Sequence, residues 1–281
     1  MRTHTIFWGE TPIHIDVHPA AGPAKAAILY FHGGGLLYGT RQDLPPDYIR
    51  AITGRGFCLV CADYLLAPES SLGDIHRSVD RVLEWFLDRC GEHPGAALPY
   101  VLFGRSAGGY LALTLAHRLQ TEGVCPPSAL WCFYGYHTLL HPLFLHPSPY
   151  YCRLPRLPEG LRSGPAAGPP LSQAPIESRF YLYASARQEG TWPRLLTRDP
   201  RELEACSVPE CALAQLPPAF LTASTADNDV PFSFSKLLSR QIPESRLLPV
   251  FGLEHDYDRD PARPESRALY EAALDWLESR F

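Results

Sequence analysis

Short, continuously apolar runs alternate along the chain with longer segments in which apolar residues recur every three or four positions. The apolar runs predict buried strands at residues 26–31, 57–61, 100–103, 129–133, 219–223 and 246–251. The periodic segments predict helices at residues 45–54, 74–89, 107–119, 232–240 and 265–280. Strands that alternate with helices are typical of a doubly wound, mostly parallel sheet with helices on both faces.

Two regions depart from this alternation. Residues 5–8 and 13–18 flank a turn at 9–12, which predicts an antiparallel pair ahead of the parallel strands. Residues 134–216 are rich in proline and aromatic residues, and a connection of that length is usually functional or locally folded. We therefore predict a single α/β domain over residues 1–281, with a cap inserted at 134–216. An alternative for residues 161–174 is a partly disordered excursion.

Charge and composition narrow the classes of partner. The chain has 281 residues, a formal net charge of −5 and a pI near 6.1. This balance gives no basic footprint for nucleic acid and no polybasic patch for a membrane, so neither partner is expected. Since no signal peptide or membrane-spanning apolar run is present, we expect a cytoplasmic protein. Exposed edge strands of the predicted sheet are able to pair in a homodimer.

Eight cysteines and eleven histidines offer two weak metal patterns. Cys58 and Cys61 form a C-x-x-C pair, but they lie in a strand-like run, where residues three apart point to opposite faces. His137 and His141 have the spacing of a helical metal site, but Pro142 interrupts that helix. The sequence therefore predicts reduced thiols, no metal and no cofactor.

The segment Gly104-Arg105-Ser106-Ala107-Gly108 joins a predicted strand to a predicted helix. A G-x-S-x-G sequence in that position is typical of a nucleophile elbow, where small flanking residues allow a tight, strained turn that exposes the serine Oγ. The pattern also arises by chance in glycine-containing loops. A second motif, His32-Gly33-Gly34-Gly35, follows the strand at 26–31, and the two motifs in this order favour Ser106 as a nucleophile. Backbone N–H groups of this glycine loop and of Ala107 can stabilise an oxyanion.

A nucleophilic serine needs a base, and the base needs a third group that fixes its tautomer. In this arrangement the order along the chain is serine, acid, histidine. Asp227 and Asp229 both follow the strand at 219–223; Asp229 better suits a helix cap before Pro231, so we favour Asp227 as the acid. His255 is the only histidine after that loop, which selects it as the base, whereas His32 is expected to hold the glycine loop in shape.

Together with Asp63-Tyr64-Leu65-Leu66-Ala67-Pro68-Glu69, these motifs resemble the α/β-hydrolase superfamily, and within it the bacterial carboxylesterases related to hormone-sensitive lipase. The resemblance covers nearly the whole chain outside residues 134–216. It implies an α/β-hydrolase fold, a structural brace from the Tyr64–Glu69 segment, and two groups of site residues: a triad of Ser106, Asp227 and His255, and an oxyanion hole from Gly34, Gly35 and Ala107. Only 31 residues precede the glycine loop, too few for the N-terminal cap helices usual in that group, so the insertion would have to replace them.

The resemblance and the site residues together predict a cofactor-free serine carboxylesterase. We expect small, neutral esters with short, acetyl-like acyl groups, because the cap is compact and aromatic. An amidase or peptidase that uses the same triad is an alternative, and so is a non-catalytic binding protein on a hydrolase scaffold. Family resemblance supports serine hydrolysis better than it supports any one substrate.

Overall fold

The computed structural model describes residues 1–89, 98–156 and 168–281. Its strands are β1 (Arg2–Trp8), β2 (Thr11–His18), β3 (Ala26–Phe31), β4 (Phe57–Ala62), β5 (Tyr100–Arg105), β6 (Ala129–Phe133), β7 (Ala219–Ser224) and β8 (Ser245–Val250). They form one sheet in the order β1-β2-β4-β3-β5-β6-β7-β8. β2 pairs antiparallel with β1 and β4, and the other neighbours pair in parallel. The predicted α/β architecture is confirmed.

Helices connect these strands and cover both faces of the sheet. They are α1 (Pro46–Gly54), α2 (Leu72–Arg89), α3 (Ala107–Glu122), α4 (Pro142–Leu145), α5 (Ile176–Glu189), α6 (Trp192–Leu196), α7 (Pro200–Ala205), α8 (Ser233–Gln241) and α9 (Pro264–Glu278). Short 3-10 helices lie at Tyr151–Arg153, Glu210–Gln215 and Tyr257–Arg259. The predicted helices start and end within about two residues of these bounds, except that α3 continues three residues further.

Each face of the sheet carries its own apolar core, because successive side chains of a strand point to opposite faces. In β3, Leu29 and Phe31 belong to the core that α2, α3 and α8 cover, whereas Ile28 and Tyr30 belong to the core that α1 and α9 cover. Both faces of the central strands are therefore buried, which explains why β3 to β7 read as continuous apolar runs.

Residues 134–216, the inserted segment, contain α4 to α7. α5 is attached to the rest of the chain at two places by buried ion pairs. Arg179 Nη2 lies 2.6 Å from Glu69 Oε1, and Arg187 Nη1 lies 2.6 Å from Asp229 Oδ1. The division of the chain into one domain with a cap stays a prediction.

The part of the chain that the structure describes bears on two further expectations. Residues 161–167 of the segment considered for disorder lie outside it, whereas Leu171 and Ala174 form bridges with Leu66 and Gly39. Among the described helices, none combines the length and the apolar character that crossing a membrane requires.

Candidate active site

Ser106 occupies the turn between β5 and α3. Its backbone has φ 53° and ψ −118°, a conformation that L-residues rarely adopt, and its N–H donates to the Phe133 carbonyl at 2.9 Å. A Cβ on Gly108 would lie 1.9 Å from the Phe31 carbonyl oxygen, and one on Gly104 would lie 2.0 Å from the Gly108 carbonyl oxygen. The strained serine and the need for small flanking residues, both predicted from the sequence, are confirmed.

The structure brings together the three residues that the sequence selected from separate loops. Ser106 Oγ lies 2.9 Å from His255 Nε2, and His255 Nδ1 lies 2.6 Å from Asp227 Oδ2. The other carboxylate oxygen of Asp227, Oδ1, accepts the N–H groups of Asp229 at 2.8 Å and Val230 at 2.9 Å. These bonds fix the carboxylate, so Nδ1 carries the proton when it faces Asp227, and Nε2 is free to accept the serine proton.

Asp229 does not cap α8, and that expectation from the sequence is wrong. The position before α8 is Phe232, which makes no side-chain cap bond within the described chain. Asp229 Oδ1 instead accepts hydrogen bonds from Tyr183 Oη at 2.8 Å and Arg187 Nη1 at 2.6 Å, both on α5. The Arg187 guanidinium is only 2% exposed, and a buried charge needs an opposite charge more than a helix end needs a cap.

The electrostatic surroundings of His255 stabilise the imidazolium that forms when Nε2 takes a proton. Burial alone would lower the pKa of its imidazole, but the carboxylates of Asp227, Asp256 and Asp229 outweigh burial and raise that pKa. Asp256 holds a left-handed backbone, with φ 53°, and its Oδ1 lies 3.7 Å from His255 Nε2. Asp229 Oδ2 lies 4.0 Å from the same nitrogen. His255 is therefore surrounded by negative charge beyond the Asp227 carboxylate.

The glycine loop is held from behind by the segment that follows β4. Tyr64 Oη donates to the His32 carbonyl at 2.8 Å, and the Tyr64 and His32 rings stack with centroids 4.3 Å apart. The Ala67 N–H donates to the Leu36 carbonyl at 2.9 Å. These contacts agree with the bracing role that the resemblance implied for this segment. His32 packs within the loop, as the sequence indicated.

The inserted segment also contacts the glycine loop. Trp192 Nε1 donates to the Gly35 carbonyl at 3.0 Å, and a Cβ on Gly35 would lie 2.6 Å from the Tyr183 ring. Among the described residues, none accepts a hydrogen bond from the N–H groups of Gly34 and Gly35. Ala107 is the first residue of α3, where backbone N–H groups have no partner within the helix. These three donors are available to an oxyanion, and their role stays a prediction.

A buried polar cluster behind the elbow is a feature that sequence reasoning missed. Arg105 Nη2 donates to Asp258 Oδ1 at 2.7 Å, and Arg105 Nε donates to Tyr134 Oη at 2.7 Å. Asp258 also accepts hydrogen bonds from Tyr134 Oη at 2.5 Å and Tyr270 Oη at 3.0 Å. The cluster joins the residue before Ser106 to the turn just after His255. The one signal in the sequence is the charge of Arg105 inside a buried motif.

Two adjoining cavities share Tyr38, Ile176, Asp256 and Arg259 in their walls. The larger, of about 660 Å³, is lined by His255 and by aromatic rings that include Tyr38, Tyr151 and Phe180. The smaller, of about 390 Å³, is lined by Gly33, Gly34, Asp43 and Arg105. Within the described ranges, no three side chains of histidine, cysteine, aspartate or glutamate are grouped as a metal site would require.

Solved structures with the same fold cover nearly the whole chain. A protein with unknown function from Staphylococcus aureus subsp. aureus Mu50 is 27% identical, with a TM-score of 0.89 and 99% of each chain covered. An alpha/beta hydrolase superfamily protein from Enterococcus faecalis is 30% identical, with a TM-score of 0.85, and covers 99% of this chain and 98% of its own. An esterase from Pyrobaculum calidifontis shares the fold at 21% identity and a TM-score of 0.73, over 99% of this chain and 82% of its own.

Curated relatives match only a small part of their own length. The non-reducing polyketide synthase adrD of Penicillium roqueforti is 36% identical over 130 residues, which are 43% of this chain and 5% of that protein. The non-reducing polyketide synthase mapC of Penicillium brevicompactum is 28% identical over 226 residues, which are 71% of this chain and 9% of that protein. A family model described as the alpha/beta hydrolase fold matches residues 28–230. The chain therefore belongs to the alpha/beta-hydrolase family.

Proposed function

We propose that this hydrolase is a serine carboxylesterase that cleaves small esters with short acyl groups through an acyl-enzyme. The observation that carries the proposal is the continuous relay from Ser106 Oγ through His255 to Asp227, at distances of 2.9 and 2.6 Å, on a strained elbow beside a glycine loop. Membership of the alpha/beta-hydrolase family supports it. The likeness to carboxylesterases related to hormone-sensitive lipase is part of the proposal.

In the proposed reaction, Ser106 Oγ attacks the ester carbonyl carbon while His255 Nε2 takes the hydroxyl proton. Asp227 stabilises the imidazolium, and the oxyanion accepts hydrogen bonds from the N–H groups of Gly34, Gly35 and Ala107. The carbon–oxygen bond to the alcohol then breaks, and Nε2–H gives its proton to the departing oxygen. Water repeats the sequence on the acyl-enzyme: Nε2 takes a water proton and returns it to Ser106 Oγ as the acid leaves.

The walls of the two cavities support separate sites for the acyl group and the alcohol of the ester. The smaller cavity has glycine and charged walls, including Asp43 and Arg105, which disfavour a long alkyl chain. We place a short acyl group there, and the alcohol in the larger, aromatic cavity. Each buried CH₂ contributes about 0.8 kcal/mol in an apolar site, so a site that accepted long chains would favour them steeply.

The test combines labelling with a chain-length series. The protein is treated with a fluorophosphonate, its intact mass is measured, and rates are taken on p-nitrophenyl acetate, butyrate and octanoate. We expect one adduct, on Ser106, and the highest kcat/KM on acetate or butyrate. Ser106→Ala should lose the adduct and lower turnover by several orders of magnitude. A chain-length optimum at octanoate would contradict the short-acyl assignment.

The acid is tested by a matched pair of substitutions. Asp227→Asn should lower kcat about 10⁴-fold, because the amide favours the wrong tautomer of His255. Asp229→Asn leaves the Asp227 carboxylate in place and should cost far less. If the two losses were reversed, Asp229 would be the acid.

An amidase or peptidase would use the same groups, and the comparison of a p-nitrophenyl ester with the matched p-nitroanilide separates it from an esterase. Full activity on the anilide would contradict the esterase proposal. Absence of both the adduct and turnover on every substrate would favour a binding protein on a hydrolase scaffold.

A further inference from the structure

Two carboxylates beyond Asp227 lie near the nitrogen that exchanges protons with the nucleophile. Asp256 Oδ1 is 3.7 Å and Asp229 Oδ2 is 4.0 Å from His255 Nε2, whereas Ser106 Oγ is 2.9 Å away. Both carboxylate oxygens lie about 0.5 to 0.8 Å beyond the usual limit of about 3.2 Å for such a hydrogen bond. A side-chain rotation of that size would bring either of them into contact with Nε2.

An arginine holds each of these carboxylates. Arg187 Nη1 donates to Asp229 Oδ1 at 2.6 Å, and Nη2 donates to the Asp229 carbonyl at 3.2 Å. The guanidinium is fixed in turn, since it lies 5.3 to 5.6 Å from the centroids of four aromatic rings: Phe144, Tyr151, Tyr183 and Trp192. Arg259 Nη2 lies 3.1 Å from Asp256 Oδ2. In each pair, the arginine contacts one oxygen of the carboxylate, and the other oxygen is the one that lies nearer His255 Nε2.

The chemistry makes this restraint important. Once His255 has taken the serine proton, its Nε2–H must donate to the departing alcohol oxygen. A carboxylate at that position would form a charge-assisted hydrogen bond, roughly twice as strong as a neutral one, and would hold the imidazolium in place. The free enzyme would then carry a protonated histidine that cannot accept the Ser106 proton.

We propose that Arg187 and Arg259 are positioning residues that keep Asp229 and Asp256 off His255 Nε2, so that the base remains available to Ser106. The proposal rests on the proposed esterase function and adds residues outside the triad. Arg187 lies on α5 in the inserted segment. Because it binds Asp229 in the loop that carries the triad acid, the inserted segment would also influence the base.

The expected direction of the pH effect follows from the charges that face His255. These are Asp227 and Asp229 from the loop after β7 and Asp256 from its own loop, with the Tyr134 ring 4.8 Å away. Burial alone would raise the pKa of Asp256, but His255, Arg105 and Arg259 lower it, which keeps that carboxylate ionised. Removal of an arginine takes away the charge opposite its carboxylate, which then stabilises the imidazolium more strongly, although Asp229 keeps its hydrogen bond from Tyr183 Oη. The pKa of His255 should then rise, and the acid limb of kcat/KM should move to higher pH.

The first variant is Arg259→Met, because this side chain is 55% exposed and its loss should leave the fold intact. The assay is kcat/KM for p-nitrophenyl acetate between pH 5 and 10. We expect the acid limb of the profile to move to higher pH by about half to one unit. At a given pH on that limb, kcat/KM should then be roughly three- to tenfold lower. Asp256→Asn in the same chain should reverse the shift, since the competing charge is gone.

The buried pair is tested in the same way by Arg187→Lys and Arg187→Met. Asp229→Asn, added to either variant, should reverse the shift. Lysine keeps the charge but not the two-point contact, so it should give the smaller shift. Arg201→Met is the matched control, since it removes an arginine from an exposed pair with Asp199 that does not line either cavity. Its pH profile should match that of the unmodified protein.

The outcomes separate the two proposals. If the unmodified protein neither labels at Ser106 nor turns over esters, the esterase function fails. If it is active but Arg259→Met has an unmoved acid limb, the positioning proposal is overturned and the esterase stands. A loss of activity that Asp256→Asn does not relieve also overturns it, because a purely structural role for Arg259 would persist without that carboxylate.

Discussion

Loss of the Arg105 guanidinium should destabilise the protein far more than loss of the whole Arg105–Asp258 pair. Both side chains are almost completely buried, with Arg105 2% and Asp258 0% exposed. Arg105→Met would leave the Asp258 carboxylate buried, with the hydroxyls of Tyr134 and Tyr270 as its remaining donors. Two neutral hydroxyl donors cannot replace a full opposite charge.

The size of the effect follows from the type of contact. Removal of one partner from a buried ion pair costs about 3–5 kcal/mol, because the remaining charge is not compensated. For a chain of this length, that corresponds to a fall in Tm of roughly 5–9 °C. In Arg105→Met/Asp258→Leu neither charge of the pair remains, and Asp43, whose Oδ2 lies 3.4 Å from Arg105 Nη1, is partly exposed to water. The cost should fall to about 1–3 kcal/mol, at about 0.5–1.5 kcal/mol for each of the two tyrosine hydrogen bonds that lose their acceptor.

The assay is urea unfolding of the unmodified protein, both single variants and the double variant, followed by tryptophan fluorescence. We expect Arg105→Met to be less stable than the double variant, with a coupling energy above about 2 kcal/mol. Esterase rates on the same samples report whether the elbow moves. An Arg105→Met chain that lost less than about 1 kcal/mol would refute the reasoning, since Asp258 would then be compensated without its arginine.

Two further predictions concern close contacts and pH. Gly108→Ala should lower the free energy of unfolding by about 3 kcal/mol and remove most of the activity, because its Cβ would lie 1.9 Å from the Phe31 carbonyl oxygen. The control is Gly54→Ala, whose Cβ would have no atom within 4 Å. Equal losses of stability in the two variants would contradict the predicted clash. Burial, with Arg118 nearby, lowers the pKa of His76 to about 3. Unfolding therefore takes up a proton below pH 6.5, so stability should fall as pH falls towards 3, by up to about 1.4 kcal/mol per unit. As the pH is lowered, the urea midpoint of His76→Gln should fall less steeply than that of the unmodified protein. Equal slopes in the two proteins would contradict this role for His76.

Most of the fold was predictable because it depends on local pattern. β3 and β6 have the bounds that their apolar runs predict, since both faces of a central parallel strand are buried. Ser106 and His255 were selected as candidates by motif and by their order along the chain, and the structure brings the two side chains to 2.9 Å. Motif and chain order depend on the connectivity of the fold. Asp227 was preferred to Asp229 as the acid only because Asp229 was expected to cap the next helix. The structure shows that Asp229 binds Arg187 instead.

The rest could not be predicted because it depends on contacts between residues far apart in the chain. Arg105 and Asp258 are 153 positions apart, and Arg187 and Asp229 are 42 apart, and no periodicity links either pair. The left-handed backbone of Asp256 is also invisible in the sequence, where such a position is usually marked by glycine. The sequence contained the charged residues but gave no indication of their partners.

The two ion pairs that attach α5 have a consequence for how molecules enter and leave. Arg179 and Arg187 are eight residues apart, about 12 Å along the helix, so α5 is fixed near both of its ends. To swing outward, the helix would have to break both pairs and expose the rings around Arg187 to water. We therefore expect that α5 does not act as a lid and causes no interfacial activation: the rate should rise smoothly with dissolved ester and show no jump where the ester begins to form droplets.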